Sequence, residues 1–66
     1  MMVKINGDPH EVPDGLTVAA LLDHLKMRID RVAIERNRDI LPRAFWNETH
    51  IQPNDNFEIV QFVGGG

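Results

Sequence analysis

Without a single cysteine, a chain of 66 residues has no disulfide or thiolate-zinc staple and must be held together by one hydrophobic core. A fold of this size buries only ~60% of the surface that its unfolded chain exposes, which leaves little wall for a deep catalytic pocket. A self-sufficient enzyme is therefore not expected, and thiol nucleophiles are excluded. The longest apolar run falls far short of the ~20 residues that span a bilayer. The opening Met1-Met2-Val3-Lys4-Ile5-Asn6 turns polar before a secretory signal could form, so the expectation is a cytoplasmic protein with no membrane partner. A net charge of −3, with Lys and Arg scattered among Asp and Glu, gives no field that would draw the chain to nucleic acid.

The hydrophobic pattern changes period along the chain. Val3 and Ile5 alternate with polar neighbours, Asn6-Gly7 supplies a hairpin signal, and Asp8-Pro9 leads into a returning strand at His10-Glu11-Val12. Pro13-Asp14-Gly15 ends that strand. Thr17 is placed to cap a helix, expected over residues 18–27, whose apolar positions Val18, Leu21, Leu22 and Leu25 share one face. Position 20 is Ala, so the cap rests on the Thr17 hydroxyl without the reciprocal half of a capping box.

Alternation returns at Val32 and Ile34. Asn37-Arg38-Asp39 then turns the chain into Ile40-Leu41, and Pro42 requires that fourth strand to be short or at an edge. Residues 43–51 carry no regular period and read as a loop with room for one helical turn, in which Trp46 plugs one end of the core. Pro53-Asn54-Asp55-Asn56 is a turn, and residues 57–63 form the longest β-prone run. The order β-β-α-β-β-β defines an α+β fold, a mixed sheet of four to five strands over one main helix in the β-grasp or ubiquitin-like manner, with the first and last strands parallel and adjacent. Residues 1–63 make the domain and residues 64–66 a flexible tail.

Chemistry-bearing residues are few. His10, His24 and His50 share no metal-ligand spacing, and the chain contains no serine, so no metal site or serine-based triad is expected. Arg36, Arg38 and Arg43 form a loose basic stretch, readable as a solvated edge or as a contact for an acidic partner. If Phe57 and Ile59 point inward, then Val60 and Phe62 point outward, an apolar pair suited to docking a partner beside the terminus. Gly64, Gly65 and Gly66 have no side chains to pack and can thread a narrow slot in another protein.

Several of these segments together resemble the ThiS family, the sulfur carriers of thiamine biosynthesis. They are the Asp14-Gly15-Leu16-Thr17-Val18 approach to a helix with Leu21-Leu22, the Val32-Ala33-Ile34-Glu35 strand, Ile40-Leu41-Pro42-Arg43 with Trp46 three residues on, and the closing glycines. The turn Asn37-Arg38-Asp39, where many relatives have Asn-Gly, and the third glycine, Gly64, depart from the pattern. The resemblance implies that the Gly66 carboxyl is adenylated by an E1-like adenylyltransferase of the ThiF type, using ATP and magnesium that this chain does not itself bind. Sulfur from a cysteine desulfurase or sulfurtransferase then makes a C-terminal thiocarboxylate, which a thiazole synthase of the ThiG type consumes. On this reading the carrier is a co-substrate, monomeric when free. A terminal Gly-Gly also marks the MoaD-like carriers of molybdopterin synthesis, and a non-catalytic ubiquitin-like binding module is the more distant alternative.

Overall fold

The computed structural model describes residues 1–62. Strand β1 (Met2–Ile5) turns at Asn6-Gly7 into β2 (Asp8–Glu11). Both turn residues have positive φ, +52° and +87°, the two-residue geometry whose twist matches that of the flanking strands. β2 starts two residues earlier than the sequence pattern indicated, at Asp8, and includes Pro9. Pro9 is tolerated because β2 is an edge strand: Val12 donates to the Met1 carbonyl, and the alternation from that bond turns the Pro9 nitrogen away from β1.

The helix α1 (Val18–His24) buries Val18, Leu21 and Leu22. Every amide of its first turn has a partner. Ala20 donates to Thr17 Oγ1 at 3.1 Å and Leu21 to the Thr17 carbonyl, while Val18 and Ala19 donate to the carbonyls of Thr49 and Trp46. The aperiodic 43–51 segment is thus tied to the helix N-terminus, and its one helical turn is a 3₁₀ turn at Arg43–Phe45. The helix stops about three residues short of the expected end. Lys26 takes φ +59°, its amide donates to Asp23 O and the Met27 amide to Leu22 O, which is the Schellman closure.

After a 3₁₀ turn at Ile29–Arg31 come β3 (Val32–Arg36), β4 (Asp39–Ile40) and β5 (Asn56–Gln61). β4 sits one residue earlier than expected because Asn37 and Arg38 alone form the turn, at φ +51° and +74°. The sheet order is β2-β1-β5-β3-β4, with β1 and β5 parallel and adjacent as the sequence indicated. Among the described residues twelve apolar side chains make the core, including Val3 and Ile5 of β1, Val32 and Ile34 of β3, Phe57 and Ile59 of β5, the helix face and Trp46. All the strand contributions come from one face of the sheet, and among the described residues the other face has no layer over it. The expected domain boundary at Val63 and the tail of Gly64, Gly65 and Gly66 lie outside the described residues.

Candidate functional site

β5 leads to the C-terminus, and it is the middle strand of five. Against β3 it runs antiparallel in continuous register from Arg36↔Phe57 to Val32↔Gln61, and the Phe62 amide still donates to the Arg31 carbonyl at 2.7 Å. The expected strand of residues 57–63 therefore begins one residue early and is regular as far as Gln61. Against β1 the backbone pairing is short, Lys4↔Asn56 and Ile5↔Phe57. Where β1 turns away, Asn6 replaces a strand: its side-chain Oδ1 accepts from the Ile59 amide at 2.7 Å and its Nδ2 donates to the Ile59 carbonyl at 3.1 Å. Asn6 thus does two jobs, occupying the left-handed turn position and completing the pairing of β5.

The launch of β5 is fixed by a buried carboxylate. Asp55, 5% exposed, accepts from Arg36 Nε at 3.0 Å, Asn37 Nδ2 at 3.2 Å and the Gln52 amide at 2.8 Å. Asn37 also accepts from the Asn56 amide and donates its own amide to the Asn56 carbonyl. The sequence reading treated 53–56 only as a turn and missed this anchor, since Arg36 lies far away along the chain. The same contact resolves the basic stretch: Arg36 is half-buried in an ion pair with Asp55, and the Arg43 guanidinium lies over the Trp46 ring, 5.5 Å from its centroid. Two of the three arginines are thus engaged within the domain.

The expected outward pair is where the alternation placed it. Phe57 and Ile59 are buried, while Val60 is 59% and Phe62 53% exposed. They share their face with Ile40, 80% exposed, which the sequence reading did not single out. The signal was present: a two-residue turn sets Ile40 opposite Glu35, and Glu35 alternates outward from Ile34. These residues, with Leu41, Pro42 and Arg43 along one side, line an apolar groove of about 530 Å³. Its wall is held by Trp46, whose buried indole donates Nε1–H to the Leu41 carbonyl at 2.8 Å.

The histidines do not converge: among the described residues there is no group of three His, Cys, Asp or Glu side chains that could hold a metal ion. Nor, among them, is any helix long and apolar enough to cross a membrane. The 3₁₀ turn at Ile29–Arg31 lies outside the groove. The hydrogen bond from Arg28, aided by that guanidinium's charge, holds the exposed Asp30 carboxyl below the usual range.

A mixed five-stranded sheet over one helix, with β5 at its centre and an apolar groove beside the exit of that strand, is a ubiquitin-like β-grasp fold. A known structure shares the whole arrangement: the crystal structure of the thiamine biosynthesis protein ThiS from Geobacter metallireducens superposes with a TM-score of 0.84 at 33% identity, covering 100% of both chains. The ThiS family model matches residues 3–66, and the chain belongs to that family. The sulfur carrier protein ThiS of Bacillus subtilis is 35% identical over 66 residues, covering 98% of this chain and 100% of that protein. A thiazole synthase of Magnetococcus marinus is 36% identical over 66 residues, covering 100% of this chain, which spans only 20% of that longer protein.

Proposed function

We propose that the protein is a sulfur carrier of thiamine biosynthesis and that the carboxyl of Gly66 is its reactive group. A free α-carboxyl has a reference pKa of ~3.3–3.7, so at neutral pH it is a resonance-stabilised anion and a poor electrophile. An E1-like adenylyltransferase activates it with ATP and magnesium, releasing pyrophosphate. The outer sulfur of a cysteine-derived persulfide, delivered by a desulfurase or sulfurtransferase, attacks the acyl carbon and expels AMP. A second thiol of the sulfur-delivering system then cleaves the acyl disulfide, forming a disulfide of its own and releasing the thiocarboxylate. Thiazole synthase takes that sulfur and returns the carboxylate. ATP and persulfide chemistry both suit the reducing cytoplasm. The chain contributes presentation, acting as a co-substrate and not as a catalyst: a rigid body that its enzymes bind and a glycine terminus that enters their active sites.

The observation that carries this reading is the family match, which runs through residue 66 and so includes the terminal glycines. The central position of β5 supports it, because the segment that leads to the tail is the best-paired strand of the sheet. Thiazole synthase as acceptor is supported by the Magnetococcus relative, a longer protein of that name containing a segment like this whole chain.

Intact mass after incubation with the cognate adenylyltransferase, ATP, magnesium and a sulfur source tests the proposal: the expected shift is that of one oxygen replaced by sulfur. A chain lacking Gly66 is expected to keep its fold, since among the described residues the core ends at Ile59, and to give no adenylate. Absence of the mass shift in the intact chain, with an adenylyltransferase active on another carrier, would count against the reading.

A further inference from the structure

Three hydrogen bonds between the end of β1 and β5 converge on one residue. The Asn6 amide donates to the Phe57 carbonyl at 2.8 Å, its Nδ2 donates to the Ile59 carbonyl at 3.1 Å, and its Oδ1 accepts from the Ile59 amide at 2.7 Å. The same residue is the one asparagine of five that precedes a glycine. That neighbour matters chemically, because the backbone nitrogen of the next residue can attack an asparagine Cγ, and a side chain on that residue hinders the approach. Gly7 has none. Apart from its chain neighbours, no atom lies within 4 Å of where a Cβ would stand on Gly7, and both residues are exposed to water.

The reaction open to this pair needs only water. The Gly7 nitrogen bonds to Asn6 Cγ and the Cγ–Nδ2 bond breaks, so that Nδ2 departs as ammonia with the proton from Gly7 and a five-membered succinimide remains. Water then opens the ring at either carbonyl, adding hydroxyl to the carbon and a proton to the nitrogen, and leaves aspartate or isoaspartate. In the folded chain the clasp opposes the first step. With Oδ1 and Nδ2 both bonded to Ile59, the carboxamide is held on β5, and the departing nitrogen must first give up the Ile59 carbonyl. Reaction therefore passes through a form in which the clasp has opened.

Neither product can close the clasp again. Aspartate sets a carboxylate oxygen, with no proton to donate, where Nδ2 faced the Ile59 carbonyl. Isoaspartate adds a methylene to the backbone of a two-residue turn whose φ values of +52° and +87° match the twist of β1 and β2. Asn37 is the internal comparison. It too has positive φ, +51°, and a side chain bonded to the start of β5, but Arg38 follows it.

We propose that Asn6-Gly7 is a self-modification site of this chain, guarded by the clasp on Ile59, and that its deamidation irreversibly loosens β5 from β1. The site and its guard stand independently of the sulfur-carrier reading.

The test follows the full chain in warm, mildly alkaline buffer, once folded and once in concentrated urea, by peptide mapping with mass spectrometry. The mass change of NH2 replaced by OH should arise at Asn6 before any other asparagine, with aspartate and isoaspartate both formed, and about tenfold or more slowly in the folded chain than in urea. First reaction at Asn37, Asn47, Asn54 or Asn56, or none in urea, overturns the site, and equal rates in the two conditions overturn the guard. The consequence is read on the modified chain and on Asn6→Asp, which makes one product directly. The thermal midpoint should fall by about 5 °C or more. The Ile59 amide should lose exchange protection, while the Val60 amide, which by alternation from the Phe62–Arg31 bond faces β3, keeps it. Asn6→Gly, which preserves the left-handed turn position without a clasp, should lose the same protection at Ile59. Protection at Ile59 retained in Asn6→Asp or in Asn6→Gly overturns the loosening.

Discussion

Replacing Asp55 by Ala should cost the domain a large share of its stability, and the size of the loss follows from the contacts removed. A chain of 66 residues has a total stability of roughly 3–10 kcal/mol. The substitution deletes the acceptor for Arg36 Nε, Asn37 Nδ2 and the Gln52 amide together. Removing one member of a fully buried ion pair costs about 3–5 kcal/mol. Here the Arg36 side chain is 27% exposed and regains water, so the charge contribution is smaller, about 1–2 kcal/mol. The stranded Gln52 amide and Asn37 donor add about 1–2 kcal/mol. A loss of about 2–4 kcal/mol is expected, lowering the midpoint by roughly 10–25 °C.

Urea and thermal melts followed by Trp46 fluorescence measure this directly, since the single indole is buried and hydrogen-bonded to Leu41. Amide exchange locates it. The Asp55 carbonyl accepts from Lys4 and the Phe57 carbonyl from Asn6, so those two amides should lose protection along with β5. Asp55→Asn, which keeps one acceptor oxygen, should lose about half as much. A double-mutant cycle with Arg36→Ala should show coupling of at least ~1 kcal/mol. A loss below ~0.5 kcal/mol in Asp55→Ala would refute the reasoning and mean that the turn at 53–56 holds its shape without the carboxylate.

Two further outcomes are expected. Arg38→Gly should stabilise the domain by about 0.5–1 kcal/mol, a rise of a few degrees in Tm, because Arg38 occupies φ +74° in a turn that favours Asn-Gly; an unchanged or lower Tm would show that the Arg38 side chain makes a compensating contact. Phe62→Asp should weaken binding to the adenylyltransferase or thiazole synthase by about tenfold or more, the effect of losing the half-exposed ring from a docked interface. Its melting temperature should move little, and a large drop would place Phe62 in the core.

What the sequence discloses is whatever is local in cause. Asn6-Gly7 is a turn wherever it occurs between alternating strands, the Thr17 hydroxyl caps the helix that follows it, and the alternation of β5 alone sends Val60 and Phe62 outward. The misread boundaries have causes that the local pattern does not carry. Lys26 closes the helix in a left-handed conformation with no glycine to announce it, and Pro9 lies within β2 only because tertiary arrangement makes that strand an edge. The Asp55–Arg36 contact and the clasp of Asn6 on Ile59 join residues far apart in the chain, so a polar residue in a turn carries no sign of its second task.

The two faces of the sheet differ in what surrounds them. A seven-residue helix and the 43–51 segment cover one side of the five-stranded sheet, and among the described residues nothing covers the other. The outer side must therefore be either polar throughout or matched to something external. On β1 the outward residues are Met2 and Lys4, whereas the half of the sheet nearest the exit of β5 carries Ile40, Val60 and Phe62 outward. Exposed apolar side chains scattered over a sheet would need no explanation. Ile40, Val60 and Phe62 instead line one groove beside the exit of β5, which makes that groove a candidate contact surface. Under the sulfur-carrier proposal, core packing and partner recognition fall on the two faces of β5, so substitutions at Phe57 or Ile59 should act on folding and those at Val60 or Phe62 on binding.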